Sequence, residues 1–308
     1  MDISVILATY NRNTILTKTL DSFCNLNVQG INWELIVVDN ANDDKVLNLV
    51  KSYTGRLPIL YLPEERKGKN YALNTAIGIA KGELYVFTDD DVIADSNWLM
   101  EMWGGARRWS EYSVFGGRIL PDFPSGNIPI SDKHPFFNGA YVVADWNIAE
   151  GPYEAHRVWG PNMAIRANLF AENRRFNTGI GPCGKDYISG SETEFTIRVE
   201  KEGYHSIFLP NSLVYHQIRP EQLEVQWLYG RAYRLGRSHA KIGEKPNVPF
   251  LFNAPRYLVR SFVETAVKRI INFFNTSARI DAGIDFWMIK GEIDQYRNDS
   301  GPRSANTR

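Results

Sequence analysis

Short apolar runs alternate with helical segments along the N-terminal part of the chain, and this alternation restricts the folds that the chain can adopt. Runs rich in branched apolar residues predict buried strands at residues 3–9, 33–39, 58–62 and 84–89. Apolar residues at helical spacing predict helices between them, at residues 13–26, 43–53 and 69–82. Strands joined in this way run parallel and are covered by helices on both faces. The sequence therefore predicts an α/β fold with a mainly parallel sheet.

The rest of the chain lacks this regular alternation. The third predicted helix, residues 69–82, ends at Gly82, which is a natural C-cap residue. Residues 121–161 are rich in Pro, Gly and aromatics and predict a long irregular insertion. Further strands are predicted at residues 113–121, 205–210 and 213–218, with a strand at the sheet edge at residues 162–167. Helices are predicted at residues 191–203, beyond residue 222, and at residues 256–274.

The composition excludes some classes of protein. The 308 residues carry 35 Lys or Arg and 35 Asp or Glu, and a net charge of zero argues against a general nucleic-acid binder. Cys24 and Cys183 are too few for a disulfide framework and are typical of a reducing cytoplasm. The N-terminus has no signal-peptide pattern, and no apolar run approaches the ~18 residues of a membrane span. We expect a cytoplasmic protein without a nucleic-acid partner.

Polar residues follow the predicted strands at the ends where ligands of parallel sheets bind, in "TYNR", "DNAN" and "TDDD". Asp89, Asp90 and Asp91 are adjacent, so each should raise the pKa of its neighbours unless a positive charge lies close by. Carboxylate oxygens suit Mg²⁺ or Mn²⁺, ions that also bind substrate phosphates. The cluster therefore indicates a site for a cation and a diphosphate. The alternative is a solvated acidic loop, in which Asp89 or Asp95 caps the helix that starts near Asn97.

Four motifs in this order resemble the family 2 glycosyltransferases of the GT-A fold: "VILATYNR" (5–12), "VVDN" (37–40), "GKNYALN" (68–74) and "FTDDD" (87–91). The resemblance covers residues 3–240. It implies a GT-A, Rossmann-like domain over residues 1–240, with a nucleotide-binding half (1–95) and an acceptor-side half (96–240). The remaining residues, 241–308, are predicted to form a helical C-terminal extension that ends in a disordered tail after Asn298.

The resemblance also implies roles for individual residues. Those implied to bind the donor nucleotide are Thr9, Tyr10, Arg12, Asp39, Lys69, Asp89 and Asp90. Those implied to bind Mn²⁺ or Mg²⁺ are Asp91, Asp89 and His216. The sequence departs from the family at Ala8, where Pro is frequent, and at residues 40–42, where Asp-Gly-Ser is frequent. A uridine diphosphate sugar is implied as the donor by the family alone.

A transferase also needs a base for the acceptor hydroxyl, and "GSETEF" (190–195) offers one at a helix start. Similar enzymes carry Glu-Asp-Thr-Glu-Leu here, and aligning the Thr places Glu192 at the base position. The alternative is a capping box, in which Ser191 caps the helix and Glu194 is its partner three residues on. By the same resemblance Trp159, Gly160 and Ser191 would line the acceptor or sugar pocket.

Basic residues are concentrated towards the C-terminus. Between Tyr229 and Arg269, nine Lys or Arg face two Asp or Glu, a net charge of +7. With the amphipathic helix this indicates peripheral contact of residues 229–274 with an anionic surface, such as the inner face of a membrane or a lipid-linked phosphate acceptor. Packing of the helix on the catalytic domain is the alternative. Arg231, Arg234 and Arg237 either meet the diphosphate or form a solvated basic face.

The main hypothesis is an inverting, metal-dependent glycosyltransferase that moves a sugar from a nucleotide-diphosphate sugar to a hydroxyl of a glycan or lipid-linked acceptor, as in polysaccharide or glycolipid synthesis. One alternative is a metal-dependent nucleotidyltransferase, against which the missing glycine in "ATYNRN" counts. Another is a nucleotide-sugar-binding protein without turnover. The sequence leaves the sugar, the acceptor, the linkage and the oligomeric state open.

Overall fold

The computed structural model describes residues 1–183 and 187–300. Among these residues the chain divides into two compact units. The first takes in residues 1–123, 141–183 and 190–218 and contains a large sheet; the second takes in residues 124–140, 187–189 and 219–300 and is mainly helical. The last helix includes Asp299 and Ser300, which the sequence assigned to a disordered tail. The remainder of that predicted tail lies outside the described residues.

The helices and strands have the following bounds. The strands are β1 Ile3–Thr9, β2 Trp33–Asp39, β3 Ile59–Pro63, β4 Leu84–Asp89, β5 Val92–Ala94, β6 Val114–Asp122, β7 Gly151–Tyr153, β8 Met163–Arg166, β9 Ser206–Gln217, β10 Phe250–Leu251 and β11 Ala254–Pro255. The α-helices are α1 Asn13–Phe23, α2 Asp44–Tyr53, α3 Lys69–Ile77, α4 Trp98–Arg108, α5 Phe137–Tyr141, α6 Ser191–Lys201, α7 Val225–Ile242, α8 Arg256–Ile271 and α9 Thr276–Ser300.

The sheet of the first unit confirms the predicted α/β fold. Its strands lie in the order β3-β2-β1-β4-β8-β6-β9-β5, with β7 paired to β9. β1 pairs in parallel with β2 and β4, and β2 pairs in parallel with β3. β8 is antiparallel to both β4 and β6 and lies between them, so the prediction of an edge strand at residues 162–167 is wrong. Its apolar residues are buried, as an interior strand requires.

Strand β9 replaces the two short strands predicted at residues 205–210 and 213–218. It runs parallel to β6, and the register shifts where Gly117 pairs with Leu209 while Arg118 pairs with Leu213. Residues 210–212 are therefore extra on β9 and form an enlarged β-bulge. Pro210 has no N–H to donate, which agrees with the break in pairing at this point.

Apolar residues on both faces of the strands pack under helices on both faces of the sheet. Val5 and Leu7 of β1 belong to one buried cluster, which includes Leu20 of α1. Ile6 belongs to a second cluster, which includes Leu73 of α3. The polar residues of these strands lie at their ends: Ser4 donates to Glu34 near the amino ends of β1 and β2, whereas Thr9, Asp39 and Asp89 end β1, β2 and β4.

The third predicted helix ends earlier than the sequence indicates. Helix α3 ends at Ile77 with Gly78 as its C-cap, so the prediction that Gly82 ends the helix is wrong. Gly82 instead packs on the backbone of β1: a Cβ atom there would lie 2.4 Å from the backbone nitrogen of Ser4. This glycine is present because the chain passes too close to β1 for any side chain.

Helix α9 is central to the second unit, since α7 and α8 both pack on it. Glycines allow α7 and α9 to approach closely. A Cβ on Gly236 would lie 1.9 Å from the carbonyl oxygen of Met288, and one on Gly291 would lie 2.1 Å from that of Tyr233. None of the helices in the described residues combines the length and the apolar character that crossing a bilayer requires.

The three arginines of α7 contact neighbours within this same unit. Arg231 Nε donates a hydrogen bond to the carbonyl of Gly139 at 3.2 Å, and Arg237 Nε donates one to Gln295 Oε1 at 3.1 Å. The guanidinium of Arg234 lies 5.2 Å from the ring centroid of Tyr187. That any of them meets a diphosphate stays a prediction.

The close approach of Gly82 to β1 gives a test of the fold. We expect Gly82→Ala to lower the free energy of unfolding by about 3 kcal/mol, because the new methyl group collides with backbone that has no rotamer to move to. Urea denaturation followed by circular dichroism measures the change. The matched control is Gly55→Ala, where the space around a Cβ is open and the effect should stay within about 0.5 kcal/mol. Equal stability of the two variants would contradict the packing described for Gly82.

Candidate functional site

The parallel register brings three strand-end residues to one edge of the sheet. Thr9 at the end of β1 lies beside Asp39 at the end of β2, and Asp89 at the end of β4 lies beside Ala8. The turn after β1 contains Asn11 in the left-handed conformation, with φ of 54°, which Asn tolerates better than most residues. This turn carries Tyr10, whose side chain is exposed, and Arg12 over the edge of the sheet.

Two of the three carboxylates that follow β4 contact Arg12. Its guanidinium lies 3.0 Å from Asp90 Oδ1 and 3.2 Å from Asp91 Oδ2, and Thr9 Oγ1 donates a 2.7 Å hydrogen bond to Asp90 Oδ2. Burial and the charge of Asp91 raise the pKa of Asp90 to about 6, against the opposing effect of Arg12. Cations of the chain itself therefore compensate part of the repulsion that the sequence predicts within the triplet.

Asp89 shares a different cation with the candidate base. Lys69, the first residue of α3, contacts Asp89 Oδ1 with its ammonium group and lies 2.6 Å from Glu192 Oε1. Burial acts to raise the pKa of Glu192, but attraction to Lys69 and hydrogen bonds from Lys69 and Ser191 lower it overall. Glu192 is therefore ionised at neutral pH. The prediction that Lys69 meets a base or a phosphate stays a prediction.

His216 faces the oxygen of Asp91 that Arg12 does not contact. The antiparallel pairing of β5 with β9 places His216 opposite Val92, and His216 Nε2 lies 3.6 Å from Asp91 Oδ1. On its other side, the Nδ1 atom lies 2.8 Å from the carbonyl oxygen of Tyr141 and can donate to it. A histidine anchored at Nδ1 presents its Nε2 lone pair in a fixed direction, as ligating histidines do.

Asp91 and His216 suit a divalent cation only if phosphate oxygens or water molecules supply its other ligands. Among residues 1–183 and 187–300, no group of three or more His, Cys, Asp or Glu side chains is arranged to hold a metal ion. Asp91 and His216 are brought together, whereas Asp89 is engaged by Lys69. Mg²⁺ and Mn²⁺ in phosphate-binding sites commonly use one or two carboxylates together with phosphate oxygens and water. The residues present fit that kind of site.

Glu192 lies in the first turn of α6, against the segment that contains Gly160. A Cβ on Gly160 would lie 2.5 Å from Glu192 Oε1, so a larger residue at position 160 would push the carboxylate out of its present position. Ser191 Oγ donates a 2.7 Å hydrogen bond to Glu192 Oε2. Trp159 packs edge-on against Trp146, with ring centroids 5.3 Å apart. The sequence segments predicted to form the acceptor side are thus adjacent in space.

The capping box considered for this helix is wrong. The N-cap residue is Gly190, in the left-handed conformation with φ of 87°, and it has no side chain to cap the helix. Ser191 is already helical and bonds to Glu192, while Glu194 pairs with Arg198 at 2.9 Å, one turn further along. A left-handed glycine before the helix directs Glu192 inward, and the sequence pattern alone does not show this.

Asp39 is enclosed by hydrogen-bond donors of its own loop. Its carboxylate accepts from the backbone N–H groups of Ala41 and Asp43, at 2.9 and 2.8 Å, and from the Tyr61 hydroxyl at 2.9 Å. The side chain is fully buried. Asp39 therefore shapes the turn after β2, and its predicted hydrogen bond to a nucleotide base stays a prediction.

Sequence reasoning missed the structural role of three asparagines. Asn70 Nδ2 donates to the carbonyls of Asn177 and Ile180, at 2.7 and 2.9 Å. Asn74, one turn later, exchanges two 2.9 Å hydrogen bonds with the backbone of Phe176. The signal was the four-residue spacing of Asn70 and Asn74, which puts two amides on the same face of α3. They fix the segment that leads towards α6 and Glu192.

The third asparagine joins β2 to the loop before α3. Asn40 Nδ2 donates to the carbonyls of Glu64 and Arg66, at 3.0 and 2.7 Å, and Asn40 Oδ1 accepts from the N–H of Gly68 at 2.8 Å. Within the same loop the Glu64 carboxylate is buried and bound by Arg66 and Thr75. This network positions the start of α3, and with it Lys69.

Comparison with known proteins identifies relatives of this chain. The sequence profile described as "Glycosyl transferase family 2" matches residues 4–175. The chain is 22% identical over 247 residues to the glucosyl-dolichyl phosphate glucuronosyltransferase of Haloferax volcanii, covering 77% of this chain and 76% of the relative.

Solved structures show the same fold. The mannosyltransferase PcManGT from Pyrobaculum calidifontis, in complex with GDP-Man and Mn²⁺, aligns with a TM-score of 0.64 at 17% identity and covers 97% of this chain and 88% of that one. S. aureus TarS 1–349 in complex with UDP-GlcNAc aligns with a TM-score of 0.55 at 18% identity, covering 96% and 90%. The fold is therefore the GT-A arrangement that the sequence resemblance implied.

The loop before α3 gives a pH-dependent prediction. Hydrogen bonds from Arg66 are the main cause that lowers the pKa of Glu64 to about 2. Because the folded pKa lies below the unfolded value of about 4.3, Glu64 contributes stability above pH ~4.3 that is lost as the pH falls towards 2. Arg66 is largely exposed, so we expect Glu64→Gln to cost about 1–2 kcal/mol at pH 7.

Denaturation at a series of pH values measures this effect. The stability difference between wild type and Glu64→Gln should shrink steadily below pH ~4.3. Glu65→Gln, which changes the exposed neighbouring carboxylate, is the matched control and should show little difference. A difference for Glu64→Gln that is the same at all pH values would rule out a stabilising carboxylate at this position.

Proposed function

Since the chain belongs to glycosyl transferase family 2, we propose that it transfers a sugar from a nucleotide-diphosphate sugar to a hydroxyl of a glycan or lipid-linked acceptor, with inversion at the anomeric carbon. Membership makes the chain a glycosyltransferase. The observation that carries the finer proposal is the Glu192 carboxylate, which is 12% exposed, has a lowered pKa and is held by Lys69 next to Asp89.

The donor nucleotide lies, in this proposal, across the ends of β1, β2 and β4. Tyr10 is exposed and offers a ring for the base or ribose, and Arg12 and Lys69 supply positive charge for the diphosphate. Thr9, Asp39, Asp89 and Asp90 shape the floor of this site. A uridine nucleotide is the base that we expect.

Asp91 and His216 would hold a divalent cation, with Asp89 beside them. When bound, Mn²⁺ or Mg²⁺ would neutralise charge on the departing diphosphate. Arg12 spans Asp90 and Asp91, so its guanidinium keeps these carboxylates oriented towards the sheet edge. The Mn²⁺ in the mannosyltransferase PcManGT complex supports a divalent cation here.

Glu192 acts as the general base in this proposal. It takes the proton of the acceptor hydroxyl while the acceptor oxygen bonds to the sugar C1 and the bond from C1 to the phosphate oxygen breaks. Gly160 leaves room for the carboxylate, and Ser191 holds one of its oxygens, so that Glu192 is fixed in one orientation. Trp159 offers an apolar ring face to a sugar.

A lipid-linked acceptor is the acceptor class that we favour. The Haloferax volcanii relative has glucosyl-dolichyl phosphate in its name, and it aligns over 77% of this chain. The basic character of residues 229–274 is consistent with such an acceptor and with peripheral contact at the cytoplasmic face of a membrane.

The deciding experiment incubates the full chain with Mn²⁺ and a panel of uridine- and guanosine-diphosphate sugars. Slow release of free nucleoside diphosphate from one donor would support the proposal and name the sugar. Release of pyrophosphate would instead indicate a nucleotidyltransferase. Donor binding without release, with and without candidate acceptors, would favour a nucleotide-sugar-binding protein.

The role of Glu192 is tested by Glu192→Gln, which keeps the shape of the side chain and removes its capacity to accept a proton. We expect transfer to fall by about 10²–10⁴-fold while donor affinity changes little. Donor binding is measured by calorimetry and transfer by nucleoside diphosphate release. Glu194→Gln on the same helix is the matched control, since Glu194 pairs with Arg198 and should leave transfer nearly unchanged. Full activity of Glu192→Gln would remove this residue from the mechanism.

The cation site is tested by chelation and by Asp91→Asn. We expect EDTA to weaken donor binding to wild type, and Asp91→Asn to weaken Mn²⁺-dependent donor binding by about 10- to 100-fold. Asp95→Asn, a change to a nearby carboxylate outside the cluster, should keep wild-type affinity. If neither EDTA nor Asp91→Asn changed the affinity for the donor, a cation held by Asp91 would be excluded.

A further inference from the structure

The last residues of α8 and the turn that follows, before α9, carry a group of large apolar side chains that face solvent. Ile270 is 75% exposed, Ile271 74%, Phe273 61% and Phe274 96%. Single exposed apolar residues are ordinary on protein surfaces, but four within five positions form a continuous patch. We call residues 270–274 the apolar turn.

The apolar turn continues a stripe along α8. Val263 and Val267 are also exposed, and with Ile270 and Ile271 they fall at helical spacing on one side of the helix. The other side of α8 carries Leu258 and packs on α9. Helix α8 is therefore apolar on two sides, of which α9 covers only one.

Positive charge surrounds the apolar turn. Residues 256–279 contain five Arg or Lys and one acidic residue, Glu264, a net charge of +4 in a chain whose total net charge is zero. Arg256, Arg260 and Lys268 are exposed along α8. Beyond the turn, Arg279 donates a 3.2 Å hydrogen bond to the Phe273 carbonyl, so a cation is fixed beside the apolar residues.

The positive charge around the apolar turn favours an anionic membrane over a second copy of the chain as the binding partner. A second copy of the chain would bring another segment of net charge +4 against the first, which like-charge repulsion opposes. An anionic bilayer offers an apolar interior for the Ile and Phe side chains and negative headgroups for Arg and Lys. Long basic side chains can keep their stems on apolar surface while their heads reach the phosphates.

We propose that the apolar turn inserts into the headgroup region of an anionic membrane, with Phe273 and Phe274 as anchors and Arg256, Arg260 and Lys268 bound to lipid phosphates. The attachment is peripheral, since it uses one turn and one helix face. It deepens the peripheral contact of residues 229–274 proposed above and does not depend on the transfer reaction, so its failure would leave the proposed catalytic function untouched.

Flotation of the full-length protein with vesicles tests this proposal. We expect binding to vesicles of phosphatidylcholine mixed with phosphatidylglycerol, much weaker binding to phosphatidylcholine alone, and loss of binding as salt rises. The double variant Phe273→Ser, Phe274→Ser should weaken binding to the mixed vesicles by at least about tenfold, because both rings are exposed and are lost as anchors. The double variant Lys268→Gln, Arg256→Gln should bind the mixed vesicles more weakly, and its binding should depend less on salt.

The matched control is Ile79→Ser with Ile148→Ser, which removes two exposed apolar side chains from the sheet unit and should leave vesicle binding unchanged. Circular dichroism confirms that each variant is folded. A fluorophore on Phe274→Cys, in a chain that also carries Cys183→Ser, should shift its emission to shorter wavelength when anionic vesicles are added.

Three results would overturn the proposal. One is wild-type protein that stays unbound to the mixed vesicles. Another is binding that the Phe273→Ser, Phe274→Ser variant retains in full. The third is a wild-type dimer, seen by sedimentation equilibrium, that this variant converts to a monomer while vesicles bind neither form; the apolar turn would then be an interface between copies of the chain.

Discussion

Lys69 holds two carboxylates that come from distant parts of the chain, and the arrangement of the site depends on this contact. Asp89 ends β4, whereas Glu192 lies in the first turn of α6. Lys69 is itself the first residue of α3, where the helix dipole disfavours a cation. Without it the two partly buried carboxylates would repel each other, and each would lose the group that compensates its desolvation. One ammonium group thus keeps the strand-end cluster and the candidate base within the same small space.

Asparagine side chains hold the backbone around this contact. Asn40 fastens the loop before α3 to the end of β2, and Asn70 and Asn74 fasten α3 to residues 176–180. These amides bond to backbone carbonyls and N–H groups that have no partner in a strand or helix, which a buried loop otherwise leaves unsatisfied. Polar side chains of a sequence motif can therefore stabilise the loops beside a site without contacting a substrate.

The α/β class and the strand-end clustering could be predicted from the sequence, because hydrophobic periodicity and parallel register are local properties with one spatial outcome. The first helix and four strands of the N-terminal region lie where the pattern predicts them, within a few residues. The interior position of β8 could not be predicted, since a strand with only three apolar residues fits an edge or a centre equally well. The end of α3 was misplaced because Gly82 serves a long-range contact with β1, and no local signal distinguishes that role from a helix cap. Equally, the ion pair of Lys69 with Glu192 joins residues more than a hundred positions apart, which spacing cannot reveal.

The irregularity in β9 sets which way its last residues face. Side chains of a strand alternate between the two surfaces of a sheet, so an odd number of extra residues reverses the alternation beyond them. Residues 210–212 are three, and His216 therefore lies on the opposite surface from the one that an uninterrupted ladder with β6 would give it. Beyond the bulge, the pairing of His216 with Pro121 of β6 and with Val92 of β5 fixes the surface on which the imidazole lies. Residues 210–212 lie outside the ladder, so a change in the length of this segment can be absorbed there while His216 stays beside Asp91.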